Sequence, residues 1–257
     1  MPSTYPTLFI SHGAPDFVLT QQVAVAALKQ LGERFPQPRA IVIISAHWIR
    51  QPVGITASET HTTIHDFSGF PQALYQLNYP AKGDPELAAR VAERLTDCGF
   101  DSELTSERGL DHGAWIPLML SHPEAMIPVV QVSLPSDDLT SCARLGEALA
   151  PLRDEDILII GSGGSVHNLR AMNRIEHTDA WASGFERWLL ESVEGNRFEN
   201  LLNPDRFTPL FETAHPTVEH FAPLLTAWAA ADRNRPGKRF HHSFMYGNIG
   251  MSMYEFS

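Results

Sequence analysis

Residues Ile41 to Trp48 read IVIISAHW. Four β-branched apolar residues in a row predict a short strand buried on both faces, the pattern of a parallel sheet covered by helices on each side. The run then reaches Ser45 and Ala46 and sets His47 and Trp48 where the strand is expected to give way to a loop. In open α/β sheets, ligands collect at the carboxyl ends of the strands. A histidine there is a candidate ligand or catalyst. Two other stretches share the design: Thr7 to Gly13 (TLFISHG) delivers His12, and Ile157 to His167 (ILIIGSGGSVH) delivers His167. Three apolar runs, each followed by a histidine, predict one shared site.

Outward from these strands, helical and extended patterns alternate to the end of the chain. Helices are expected near Gln21–Arg34, over Asp84–Cys98, over Ile116–Ser121 after a turn at GLDHGAW, and over Asp138–Leu152. Two more are expected over Ala180–Glu194 and roughly Val218–Ala231. Further strands fit Val53–Ala57, of antiparallel sense, and Ile127–Leu134, with NIGMSMYEF as an edge strand. The expected fold is a single α/β domain over residues 1–257. It has a mostly parallel or mixed central sheet flanked by helices, with a metal site at the strand carboxyl ends. The stretch His61–Pro80 (HTTIHDFSGFPQALYQLNYP) reads as a long loop, and loops of that length usually cover a site or bind something.

Composition narrows the function classes. The net charge is −11 with 19 basic residues, and no Lys/Arg cluster offers to neutralise nucleic-acid phosphates. No apolar run is long enough to span a bilayer, and MPSTYPTLFI lacks the pattern of a secretory signal. Cys98 and Cys142 match no CxxC spacing and are expected as buried thiols of a cytoplasmic protein. The oddity is twelve histidines.

Two tempting motifs fail. GSGGSV places Val166 where a dinucleotide fingerprint needs its third glycine, and it is not a GxSxG nucleophile elbow. Neutral imidazoles on rigid strand ends suit Zn(II) or Fe(II), so His12 and His47 are candidate metal ligands. The stretch HPTVEHFAPLL offers a third. If a helix begins near Thr217, Glu219 points away from its apolar face and His220 lies on the flank, which favours His220. If Pro223 opens the helix, both residues lie in a loop and the angle no longer chooses. His112, between Asp111 and Gly113, reads as a general acid or base with Asp111 as its orienting partner. Of His61, His65, His122, His177, His241 and His242, only His65 is singled out, as a pocket wall. The other five read as surface residues.

SHGAPD, ISAHW, TIHDFSGFPQALYQLNYPA, GLDHGAW, GSGGSVHNLR and HPTVEHFAPLL, in that order, resemble the class III extradiol ring-cleaving dioxygenases, most closely the DOPA-dioxygenase branch. The resemblance runs from about residue 6 to the end. It implies a non-haem Fe(II) enzyme that opens a catecholic ring beside its two hydroxyls using O2. By the same resemblance His12, His47 and His220 are the metal ligands, and His167 and His112 are the acid/base pair. Better-studied class III relatives use two His and one Glu, whereas here the third ligand is His220 with Glu219 beside it. Zn(II) can take the place of Fe(II) in isolated members, with His167 as a fourth metal ligand. His65, Phe70 and Tyr75, with Phe67 and Tyr79, are expected to wall the substrate pocket. A zinc-dependent hydrolase using the same ligands, or a non-enzymatic metal-binding or adaptor protein on this fold, are the competing readings.

Overall fold

The computed structural model describes residues 5–173 and 177–257, so the first four residues of the N-terminal stretch lie outside it. Strands β1 (Thr7–Ser11), β2 (Ala40–Ile49), β3 (Val53–Thr56), β4 (Ser102–Thr105), β5 (Val129–Leu134), β6 (Ile157–Gly163) and β7 (Lys238–His241) enter one sheet. So does the last strand, β10 (Met253–Phe256), while β8 (Phe244–Met245) and β9 (Ile249–Gly250) form a small ladder of their own. The eight-stranded sheet runs in the order β4-β3-β5-β2-β6-β1-β10-β7. Its centre, β5-β2-β6-β1, is parallel, and both flanks begin with an antiparallel step.

The two-faced burial of the IVII run follows from this arrangement. Val42 and Ile44 join Val130, Val132 and Ile159 on one face, while Ile41 and Ile43 join Leu158 and Ile160 on the other. The helices are α1 (Val23–Arg34), α2 (Pro85–Asp97), α3 (His112–Ser121), α4 (Leu139–Leu149), α5 (Ala180–Glu194), the short α6 (Phe198–Leu202), α7 (Pro204–Phe207) and α8 (Phe211–Ala214), and α9 (Ala222–Ala229). Residues of α1 and α3 cover the second face; those of α2, α4, α5 and α9 cover the first. The chain therefore leaves β1 toward one layer and β6 toward the other, and a crevice opens between their carboxyl ends.

Several expectations shift. β2 does not stop before His47: it continues to Ile49, with an irregular register against β5 between Ile44 and Ile49. A register irregularity of this kind re-aims side chains without ending the strand. The C-terminal strand β10 is not an edge. It lies between β1 and β7, because the polar segment KRFH adds a further strand that apolar patterning does not mark. α4 ends at Leu149, before Pro151, and the rest of the expected helix is a 3₁₀ turn. Cys98 is exposed; only Cys142 is buried. Among the described residues no helix is long and apolar enough to cross a membrane.

Candidate metal centre

Three elements bring His12, His47 and His220 together, with their ligand nitrogens all within 4.8 Å of one another. His12 follows β1 directly, and its backbone N–H extends the ladder to Gly163 O of β6 at 3.0 Å. His47 is supplied by the irregular end of β2. His220 precedes α9, which Pro223 opens in its first turn, so Glu219 and His220 stand in a loop. Neither residue therefore has a helical angle, and hydrogen bonding decides which of the two faces the cluster.

Hydrogen bonding also fixes the tautomers. Ser162 Oγ donates its one hydrogen to Gly113 O at 2.5 Å, so it accepts from His12 Nδ1 at 3.0 Å. The His12 lone pair is then on Nε2, which lies 3.0 Å from His47 Nε2. Glu219 Oε1 stands 3.0 Å behind His220 Nδ1, so His220 likewise carries its hydrogen on Nδ1 and turns a bare Nε2 inward. That buried Nε2 has no hydrogen-bond partner. A buried orphan acceptor costs on the order of 1–3 kcal/mol, and a cation removes that cost. Two imidazole nitrogens sharing one ion at about 2.1 Å stand roughly 3.0–3.4 Å apart, and the His12–His47 separation falls in that range. The donor set fits a divalent metal.

Burial keeps the imidazoles neutral, as ligation requires. Desolvation, reinforced by the neighbouring histidines, holds His12 and His220 well below the usual histidine value. Burial and the charge of His112 push His47 down to about 3, against the opposing pull of Asp66. His167 falls to about 4, chiefly from burial, with Glu219 pulling the other way. It lies flat on His220, ring centroids 3.4 Å apart and planes 7° apart, outside the trio.

His112 is not in a turn. It is the first residue of α3, buried, with its ring 3.9 Å from that of His47. Asp111 does not orient it: the Asp111 carboxylate accepts from Ser45 Oγ at 2.7 Å and Gln131 Nε2 at 2.5 Å, and pairs with Arg108 at 3.1 Å. The carboxylate beside His112 is Asp66, from the long loop. The sequence marks Asp66 only by its place within IHDFSGFP, next to His65. Burial works to raise the Asp66 carboxyl, but hydrogen bonding and charge interaction with His112 outweigh it and bring it down to about 2.

Phe67 meets the His112 ring edge-on at 5.7 Å. Phe70 and Tyr75 stand behind it, 5.6 and 5.2 Å from the Phe67 ring. His65 is held by Leu77 O at 3.0 Å and lies 5.7 Å from Trp115. Tyr79 is no pocket wall: it is buried in the core, donating to His122 O. His61 and His122 are buried as well, against Val129 O and Phe35 O.

A family described as the catalytic LigB subunit of aromatic ring-opening dioxygenase matches residues 7–257. The chain belongs to this family. It is 40% identical to a 4,5-DOPA dioxygenase extradiol of Beta vulgaris, over 98% of this chain and 96% of that one. The identity is 39% to a 4,5-DOPA dioxygenase extradiol of Escherichia coli K12, over 90% and 87%. The crystal structure of an uncharacterized protein from Escherichia coli K12 superposes with a TM-score of 0.83 at 32% identity, covering 98% of this chain and all of that one. This LigB-family chain is a class III extradiol ring-opening dioxygenase, and its family implies a metal cofactor and a small aromatic substrate.

Proposed function

We propose that the protein cleaves a catechol of the DOPA type beside its diol, using Fe(II) and O2. In this reading His12, His47 and His220 hold the metal, His112 and His167 move protons, and residues 1–257 form one catalytic domain in the cytoplasm. The observation that carries it is the pair of tautomer locks, Ser162 on His12 and Glu219 on His220, which turn bare nitrogens toward His47. Bound there, Fe(II) would supply open positions for the two catechol oxygens and O2, and the redox chemistry between them.

The chain's own residues do the rest. Three neutral imidazoles leave the full charge of a divalent ion to favour a doubly deprotonated catechol. The hydroxyl protons must then be taken up, and His167, held neutral by burial, is free to accept one. His112 stands beside His47, with Asp66 behind it, and in this reading returns a proton as the ring opens. Phe67, backed by Phe70 and Tyr75, offers an apolar wall to an aromatic ring and keeps bulk water from His112. His65 braces the loop that carries them. The activity for which the plant and bacterial relatives are named supports DOPA as the first substrate to try.

The test is anaerobic loading with Fe(II), then O2 uptake and product analysis across a catechol panel that includes DOPA. One O2 consumed per ring opened is expected with Fe(II), and none with Zn(II). Turnover with Zn(II) in the absence of O2 would instead make the protein a zinc hydrolase. Metal loading without turnover of any substrate would make it a binding protein.

A further inference from the structure

Among the carboxylates around the cluster, Asp66 has the least expected position. It comes from the long loop, yet that loop is pinned to the start of α3. Thr63 bridges to Leu110, Ile64 N–H donates to Leu110 O at 2.8 Å, and Trp115 Nε1 donates to Ile64 O at 3.0 Å. Asp66 is thereby delivered to the helix end. Its Oδ1 accepts the backbone N–H of His112 at 2.9 Å and lies 3.1 Å from Nδ1 of the same residue. Asp111, which occupies the N-cap position, makes no side-chain cap because its oxygens are engaged by Ser45, Gln131 and Arg108. One oxygen of a carboxylate 46 residues away in sequence thus caps α3 and faces the imidazole at its first position.

We propose that Asp66 is the positioning residue of His112, holding its imidazole in the Nδ1–H form so that Nε2 is the nitrogen that exchanges protons with the substrate. An ionised carboxylate only accepts hydrogen bonds, so the imidazole nitrogen nearest to it carries the hydrogen. The lone pair is then fixed on the other nitrogen. Nδ1 meets Oδ1 at 3.1 Å as a charge contact rather than an aligned hydrogen bond, while the same oxygen takes the backbone N–H. Without the charge, the two tautomers compete and only one can accept a substrate proton. The effect falls on the chemical step rather than on substrate affinity.

The inference rests on His112 as a proton-transfer residue, and the experiment separates the two ideas. Asp66→Asn keeps a side-chain oxygen for the helix cap and removes the charge, so the fold is retained. Wild type, Asp66→Asn, His112→Ala and the double variant are compared for kcat and KM with a catechol. The imidazole ¹⁵N shifts of zinc-loaded wild type and Asp66→Asn are recorded alongside. Asp66→Asn is expected to lose roughly tenfold or more in kcat with KM changed less than about twofold. The double variant should stay within about twofold of His112→Ala, since both changes act through one group. The spectra should show Nδ1–H at His112 in wild type and a mixture in Asp66→Asn. An unchanged tautomer and kcat in Asp66→Asn, multiplicative losses in the double variant, or an effect on KM alone would each overturn the proposal. Full activity in His112→Ala would remove His112 from the reaction, while the spectra would still decide whether Asp66 sets its tautomer.

Discussion

His12 and His220 present the same nitrogen to the cluster but are backed by different groups. Behind His12 stands a neutral hydroxyl, Ser162; behind His220 stands the Glu219 carboxylate. A carboxylate partner raises ligand basicity more than a hydroxyl does. As a metal ligand, His220 would therefore be a stronger donor than His12. Replacing His12, His47 or His220 by Ala should abolish metal retention after dialysis, because two imidazoles hold a divalent ion poorly. His112→Ala should keep its metal, by elemental analysis, and lose roughly 10²–10⁴-fold in turnover. His167→Ala should also keep metal, with affinity somewhat lowered by loss of the ring stacked on His220. A metal-free His167→Ala protein would make that residue an obligatory ligand.

At the scale of elements, the site depends on how closely α9 approaches β6. A side chain at Gly163 would place its Cβ 2.1 Å from His220 O, and one at Gly161 would meet Pro223 O at the same distance. Gly164 N–H also donates to His220 O at 2.9 Å. Gly163→Ala must push the His220 loop outward, at a cost typical of overpacking, about 1–3 kcal/mol. The expected result is a lower Tm together with weaker metal binding. A lower Tm with unchanged metal affinity would show that the loop relaxes without moving His220. In the long loop, Phe70→Ala and Tyr75→Ala should raise KM for a catechol and leave metal content intact; loss of folding would assign both rings to the core instead. The strand-end histidines were legible in the sequence because apolar runs of four or more announce buried parallel strands. The start of α3 at His112 was not, because its cap comes from Asp66, a contact across 46 residues that no local pattern encodes. β4 (SELT) and β7 (KRFH) escaped for a related reason: both are short and mostly polar, and only pairing makes them strands. The convergence of the trio was expected from the sequence, while Ser162 and Glu219 behind His12 and His220 needed coordinates.

Across the whole molecule, the price of the site is a set of histidines kept uncharged by burial. His215, packed among Phe185, Phe211 and Phe221, is pushed down to about 3 by burial, although its hydrogen bond to Ser165 O works the other way. His47 and His167 sit at about 3 and 4, and His12 and His220 are also well below 6.5. In the unfolded chain all five would take up protons near pH 6.5. Between that value and about 3–4 the unfolded state therefore binds more protons than the folded one, and stability falls as the pH is lowered. Glu186 opposes this, since burial raises its carboxyl despite bonds from Ser165 and Ser252, but it stands against these five and against His61, His122, His241 and His242, which burial lowers as well. The metal-free protein should accordingly show a level Tm above about pH 7 and a steady decline toward pH 5. With one sheet serving both cores, unfolding should remain a single transition throughout. His215→Phe isolates one contributor, because Phe suits the aromatic surroundings and cannot take a proton. Its Tm should fall less steeply between pH 6.5 and 5 than that of wild type, whatever its value at pH 8. Parallel curves for the two proteins would show that His215 does not enter the native state neutral, and a Tm rising toward pH 5 would refute the scheme for all five.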